Sequence, residues 1–216
     1  MFTDRAQAGE ALAEAVAKAA PDNPVVLALP RGGVPVAIPV AKRLNAPLDL
    51  LMVRKIGVPH QPEVAAGAVV DGDAHQIVFN DHVLKYAGLT REDFADAIDE
   101  KLAQIAERRG KYLGDRKSVP LSGTTAIVVD DGIATGATVK AALKALRGAK
   151  PDAIWLAVPV GPLDVLEEMR GLVDNLICLE VPQPFIAVGA HYRRFDQFSD
   201  DAVVDALGAM WNTGTK

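Results

Sequence analysis

Four short apolar runs constrain the fold of this chain more than any other feature. They read "PVVLALP" from Pro24, "TAIVVDD" from Thr125, "AIWLAVPV" from Ala153 and "NLICLEV" from Asn175. Continuous apolar runs of this length, without alternation, mark strands buried on both faces, the habit of parallel sheets. "LDLLMVRK", from Leu48 to Lys55, reads as a further strand. Between them lie helix-forming stretches: "VPVAIPVAKRLN", "ATVKAALKALRGA" and "PLDVLEEMRGL". Strand and helix alternate through the chain, which predicts an α/β fold with a doubly wound, mainly parallel sheet. Half of the residues are hydrophobic and only 5% are aromatic, so Val, Leu, Ile and Ala must build the core. At 216 residues the expectation is one domain, 1–216.

Local signals fill in the rest. Thr3 is the expected N-cap of a first helix, "DRAQAGEALAEAVAKAA". Pro35 suits a first helical turn but Pro39 does not suit an interior, so the second helix should begin near Pro39 or kink there. The stretch from Ile56 to Gly67, "IGVPHQPEVAAG", has two prolines, two glycines and no periodicity. It predicts a long mobile loop, and loops of that length tend to be lids. "AVVDGDAHQIVF" predicts a hairpin turning at "DGD". "DHVLKYAG" is a short helix, and Thr90 with Asp93 caps a long charged one. Residues 56–115 thus form an insertion, 181–198 an irregular hood, and Ser199 caps a last helix.

The formal net charge of −5 argues against a nucleic-acid partner. The basic stretch "ERRGKYLGDRK" is expected to be a solvated helix end. Cys178, the single cysteine, sits in an apolar run and reads as a core residue. The N-terminal stretch lacks the pattern of a signal peptide, and no segment has membrane-spanning length, so the expected location is the cytoplasm. His60, His75 and His82 lack metal-ligand spacing, and His191 reads as structural or solvated.

The chemistry concentrates in "IVVDDGIATGATV", Ile127 to Val139. A buried strand ends on Asp130 and Asp131, then small and hydroxylated residues lead into a helix. Ligands of open α/β sheets bind at such junctions. The small residues let backbone N–H groups approach an anion, and the helix offers its positive end. The paired carboxylates would repel that anion, so they need sugar hydroxyls or a divalent cation. A ribose 5-phosphate satisfies both halves. The stretch lacks the Lys of a P-loop and the glycine spacing of a dinucleotide fold.

"IVVDDGIATGATV" resembles the PRPP-binding signature of the type I phosphoribosyltransferases, a specific motif (PRPP is 5-phosphoribosyl 1-pyrophosphate). "LALPRGGVPVA" resembles their pyrophosphate loop, in which a cis non-proline peptide is common, and "VRKIGVPHQPEVAAGAV" lies where they carry a flexible loop or hairpin that closes over the active site. The chain from "FTDRAQAGEALAEA" to "VPQPFIAVGAHY" is similar to a group of predicted phosphoribosyltransferases. The resemblance implies the type I fold and transfer of phosphoribosyl from PRPP to a nitrogen acceptor, with pyrophosphate released. The alternative is a PRPP-binding regulator without turnover, which the intact pyrophosphate loop disfavours. Asp130 and Asp131 would then hold ribose. Ala134, Thr135, Gly136, Ala137 and Thr138 would hold the 5-phosphate. Arg31, Gly32, Gly33 and Lys55 would meet the pyrophosphate, with Arg31 and Lys55 assisting catalysis. Mg²⁺ would enter through PRPP, with Asp130 and Asp131 as candidate ligands. Hypoxanthine-guanine members carry an Asp where this chain has Ala134, which leaves Glu63 as the candidate general base. Phe185 and Tyr192 are candidates to stack on the acceptor. The implied partners are PRPP and a small acceptor, without membrane or nucleic acid, and a homodimer is allowed.

Overall fold

The computed structural model describes residues 1–71 and 75–212, without the side chains of Pro62, Glu63 and Asn212. Its centre is a five-stranded parallel sheet. The strands are β1 (Pro24–Ala28), β2 (Leu48–Leu50), β6 (Thr125–Val129), β7 (Ala153–Val160) and β8 (Asn175–Glu180), in the order β2-β1-β6-β7-β8. Val26, Ala28, Ile127 and Val129 pack against α1 (Arg5–Lys18), α2 (Gly33–Leu44) and α7 (Asp200–Asn212). The alternate residues Val25, Leu27, Ala126 and Val128 pack against α5 (Ala137–Leu146) and α6 (Leu163–Arg170) on the opposite face. Both faces of each strand are covered, which is why the strands are continuous apolar runs in the sequence. The doubly wound α/β architecture is the expected one.

α1 is capped by Asp4 and not by Thr3: the Gln7 N–H donates to Asp4 Oδ1 at 3.0 Å. α2 runs through Pro39 without starting there. Its close neighbour is Gly9 of α1, where an added Cβ would lie 2.8 Å from the Val36 carbonyl oxygen and 3.0 Å from the Pro39 ring. The missing side chain lets the two helices approach and seats that ring.

The stretch from Ile56 to Gly67 is not a loop. β3 (Val53–Val58) and β4 (Gln61–Val70) pair as an antiparallel hairpin, and β5 (Gln76–Phe79) joins as a third strand. The residues that suggested a loop have other duties here. Pro59 and His60 form the two-residue turn, with His60 at φ +64°. Gly57 lies at register shifts in the pairing, as bulge residues do. Gly67 lets β5 approach, since a Cβ there would meet the Val78 carbonyl at 2.4 Å. The β4–β5 hairpin was expected, and the "DGD" turn predicted for it falls on residues 71–73, of which 72 and 73 lie outside the described residues. "LDLLMVRK" is two strands, β2 in the large sheet and β3 in the small one, divided at Leu51 and Met52.

α3 (Asp81–Ala87) and α4 (Ala95–Leu113) complete the insertion, with Thr90 donating to Asp93 Oδ2 ahead of α4. α4 is bound to the core by charge. Arg109 Nη2 donates to Asp49 Oδ1 of β2 at 2.8 Å, and its Nη1 donates to Asp71 Oδ2 at 2.6 Å. Asp49 and Asp71 are 6% and 4% exposed, and carboxylates buried this deeply are found paired. Burial works against the Arg109 charge, and the two carboxylates more than offset it, raising its pKa. The "ERRGKYLGDRK" stretch is largely exposed, as expected of a helix end, but Arg109 is half-buried and Tyr112 and Leu113 are buried. Lys111 and Tyr112 donate to Asp200 of α7, and Arg116 lies over the Trp211 ring at 3.9 Å. No helix among the described residues is long and apolar enough to cross a membrane.

Arg109→Met keeps the packed stem but leaves two buried carboxylates without their cation. It should destabilise the chain by about 3 kcal/mol, as removal of one partner from a buried ion pair does. Urea unfolding at pH 7 measures the loss.

Candidate active site

The chain leaves β1 toward α2 on one face of the sheet and leaves β6 toward α5 on the other. Adjacent strands whose connections diverge in this way open a crevice at their carboxyl ends, the usual ligand position in open α/β sheets. Pro30–Gly33 and Asp130–Asp131 meet at this point.

The two segments touch closely. A Cβ at Gly32 would lie 2.1 Å from Asp131 Oδ2, and one at Gly33 would lie 2.6 Å from the Val129 carbonyl oxygen. At Gly33 the obstacle is backbone, so no other residue type fits, and a side chain at Gly32 would force the Asp131 carboxylate to move. The Pro30–Arg31 peptide is cis, as the resemblance led one to expect. Asp130 and Asp131, with Arg31, Gly32 and Arg5, line a cleft of about 420 Å³.

The acids are electrostatically uncomfortable. Burial first, and then the Asp131 charge, push the Asp130 carboxyl well above the ordinary carboxylate range. Asp131 is raised by burial as well, with Arg5 acting against the shift. The Asp131 N–H donates to Asp130 Oδ1 at 2.8 Å. Arg5 Nε donates to Asp131 Oδ2 at 2.7 Å, an ion pair whose side chains are only 12% and 15% exposed. Internal donors thus take one oxygen of each carboxylate.

The turn after the acids leads into α5. Gly136 is its N-cap at φ +71°, a conformation that favours glycine, and a Cβ there would strike Met169 and Val165 of α6 at 2.7 Å. No side chain caps this helix end. Its first N–H groups therefore lack a side-chain partner, and an anion can take that place. Ala134, Thr135, Ala137 and Thr138 are exposed around it.

Two neighbouring clefts border this turn. Ala134 and Thr135 share one with Phe185, Gln183, Asp164 and Glu167. Ala137 and Thr138 share the other with Lys55 and Phe79. Lys55 therefore stands beside the helix end and not beside Arg31. Neighbouring strand residues point to opposite faces, and Arg54 takes the other side, with Arg108, Lys111 and Asp200. Arg31 reaches that group through Asp200, 3.5 Å away.

The hood corrects one expectation. Tyr192 does not present its ring to a ligand. It is 6% exposed, packed against Phe2 and Phe195, and its hydroxyl donates to the Asp131 carbonyl at 2.6 Å. Burial pushes its phenol pKa far upward. Phe185 is half-buried, stacked on His191 at 5.5 Å, and lines its cleft. The His191 Nε2 is buried without a hydrogen-bond partner among the described residues. The Glu63 side chain lies outside the described residues.

Arg5 was missed in the sequence. It is 126 positions from Asp131, in a helix whose composition looked ordinary. Only the lone arginine at the mouth of an Ala-rich helix hinted at it, and such residues are usually solvated.

Residues 3–193 match the family model described as the phosphoribosyl transferase domain. The chain is 47% identical over 208 residues, 96% of its length, to the provisionally named phosphoribosyl transferase Rv0571c of Mycobacterium tuberculosis H37Rv. The same figures hold for MT0597 of strain CDC 1551. The chain spans about half the length of these curated relatives, 46%. The crystal structure of TT1426 from Thermus thermophilus superposes with a TM-score of 0.83 at 38% identity, covering 96% of this chain and 97% of that one.

Because folding raises the Asp130 pKa above its unfolded value, ionising this group costs stability. The cost grows as pH rises through the window between the unfolded and folded values, and it is complete above the folded one. Asp130→Asn keeps an oxygen for the Asp131 N–H and removes the charge. It should unfold at higher urea than the wild type at pH 8, with the advantage shrinking toward pH 4. An equal or lower midpoint at pH 8 would mean that the acid pair costs the fold nothing.

Proposed function

The chain belongs to the phosphoribosyl transferase domain family, and from that premise we propose that it transfers the 5-phosphoribosyl group of PRPP to a nitrogen acceptor. One observation carries the reading: a buried acid pair and an uncapped helix N-terminus border one another at the switch point of the sheet. A vicinal diol and a phosphate monoester at the two ends of one sugar match that pairing.

Asp130 and Asp131 each offer the ribose 2- and 3-hydroxyls an oxygen. The N–H groups around Ala134, Thr135, Gly136, Ala137 and Thr138 take the 5-phosphate, with the two threonine hydroxyls as further donors. Arg31 and the amide of Gly32 take the pyrophosphate, whereas the Gly33 N–H, expected there as well, already donates to the Leu29 carbonyl at 3.0 Å. Lys55 supplies positive charge on the phosphate side. In the reaction the acceptor nitrogen forms a bond to C1. The C1–oxygen bond breaks, its electron pair leaves on pyrophosphate, and the acceptor gives up its N–H proton. The charge that develops at C1 calls for positioning and electrostatic compensation and not for a protein nucleophile. Glu63 is carried forward as the base candidate from the sequence alone.

Mg²⁺ fits the hard carboxylate oxygens of Asp130 and Asp131. The cation would enter on the oxygens of PRPP, with Asp130 and Asp131 as its candidate protein ligands. When bound it offsets the leaving-group charge.

The acceptor belongs in the cleft that Ala134 and Thr135 share with the hood. Phe185 offers a ring edge or face, and Asp164, Glu167 and Gln183 offer acceptor oxygens. No lysine or arginine is among the described residues lining it. A ring that carries its own carboxylate would meet like charge there, whereas a neutral ring with N–H donors would be paired. The intact Arg31-Gly32-Gly33 loop supports turnover over binding alone.

Pyrophosphate release in the presence of PRPP and Mg²⁺ tests this reading. Neutral aminated heterocycles should support release, and ring carboxylates such as orotate should not. In calorimetry, Asp130→Asn with Asp131→Asn should weaken PRPP binding at least about tenfold, or 1.4 kcal/mol. PRPP affinity that is unchanged in the double variant, or preferred use of ring carboxylates, would contradict it.

A further inference from the structure

Arg5 is the first residue of α1, yet its side chain turns away from its own helix and is only 12% exposed. It spans three elements. Nε donates to Asp131 Oδ2 at 2.7 Å, and Nη1 donates to the Asp196 carbonyl of the hood at 2.8 Å. Its guanidinium carbon lies 3.8 Å above the centre of the Phe195 ring. A planar, forked cation suits this combination of directed donors and a stacked face, and a lysine does not.

The segment that precedes Arg5 is fixed to the hood. The Phe2 N–H donates to the His191 carbonyl at 2.8 Å, Arg193 N–H to the Phe2 carbonyl at 2.8 Å, and Arg194 N–H to the Thr3 carbonyl at 3.0 Å. The Phe2 ring packs against Tyr192, whose hydroxyl holds the Asp131 carbonyl. Asp131 is thus gripped twice, by α1 at its side chain and by the hood at its backbone. Arg5 joins both grips.

We propose that Arg5 is a positioning residue for ribose recognition: by occupying Asp131 Oδ2 it fixes the rotamer in which Oδ1 meets one hydroxyl of a vicinal diol. This inference rests on the PRPP reading above. The Asp131 N–H plays the same part for Asp130 by occupying Oδ1. The pair then presents one oxygen from each acid to two adjacent hydroxyls. Without Arg5, two adjacent carboxylates have no cation between them, and Asp131 is free to turn away from its neighbour. The role concerns the sugar alone. A ligand that consists only of phosphate groups engages the helix end and the Arg31 loop, and it does not need the acid pair.

Arg5→Met retains the stem and removes the fork. Calorimetry with two probes, PRPP with Mg²⁺ and inorganic pyrophosphate without it, separates the roles, because metal-free pyrophosphate gives the acid pair nothing to hold. We expect Arg5→Met to weaken PRPP at least about tenfold and pyrophosphate by less than about twofold. In the Asp131→Asn background the same change should add less than about twofold, because the two residues act as one unit. Arg5→Lys should recover part of the loss, as charge returns without the fork. Equal losses for both probes would reduce Arg5 to a structural brace and overturn the proposal, as would unchanged PRPP affinity or a full additional loss in Asp131→Asn. A wild-type chain that binds pyrophosphate but not PRPP would overturn the PRPP reading and this inference together. Normal wild-type binding of PRPP with an indifferent Arg5→Met would overturn this inference alone.

Discussion

Everything in the site depends on how closely the chain after β1 lies on the chain after β6. Gly32 and Gly33 rest against Asp131 and the Val129 carbonyl at distances that leave no room for a Cβ. This contact sets the depth of the cleft and brings Arg31 within reach of the acid pair. It is possible only because the two strands are sheet neighbours whose helices leave on opposite faces. The position of the site is therefore a consequence of strand order, and its chemistry is a consequence of which residues can stand at two strand ends.

The chain contains two clusters with the same nominal charge, two aspartates and one arginine, and they are built differently. Arg109 gives one arm to Asp49 and the other to Asp71, and Asp49 also accepts from the N–H groups of Leu50 and Val119. That cluster is closed and holds an inserted helix on the core. Arg5 divides its donors between Asp131 and the Asp196 carbonyl, and the hydrogen bond that Asp130 accepts comes from the neighbouring Asp131 N–H. Burial and mutual repulsion leave both acids raised. A fold that needed these groups only for stability would gain from replacing them. Retained discomfort of this kind is the signature of groups that await a partner.

The doubly wound sheet was legible because strands covered on both faces must be apolar throughout, and their runs stand out in the sequence. The acid pair, the following turn and the glycine loop were legible as local patterns, each needing only a few adjacent residues. The hairpin from Val53 to Val70 was legible only through the family resemblance, which allowed a loop or a hairpin there, and not from composition. Its prolines and glycines mark a turn, a bulge and a close strand approach, and composition cannot separate those duties from a loop. Tyr192 was misjudged because an aromatic in an irregular segment looks available until its neighbours, Phe2 and Phe195, are placed. Arg5, Arg109 and the division of Arg54 from Lys55 depend on contacts between distant parts of the chain or on which face of a strand a residue takes.

One ligand should bridge the acid pair and the uncapped end of α5. A crystal structure of the chain with PRPP and Mg²⁺ decides this. We expect the ribose hydroxyls on Asp130 and Asp131, the 5-phosphate on the N–H groups from Ala134 to Thr138, and pyrophosphate against Arg31. PRPP density with its phosphate away from α5, or its sugar away from the two acids, would show that the two halves do not form one site.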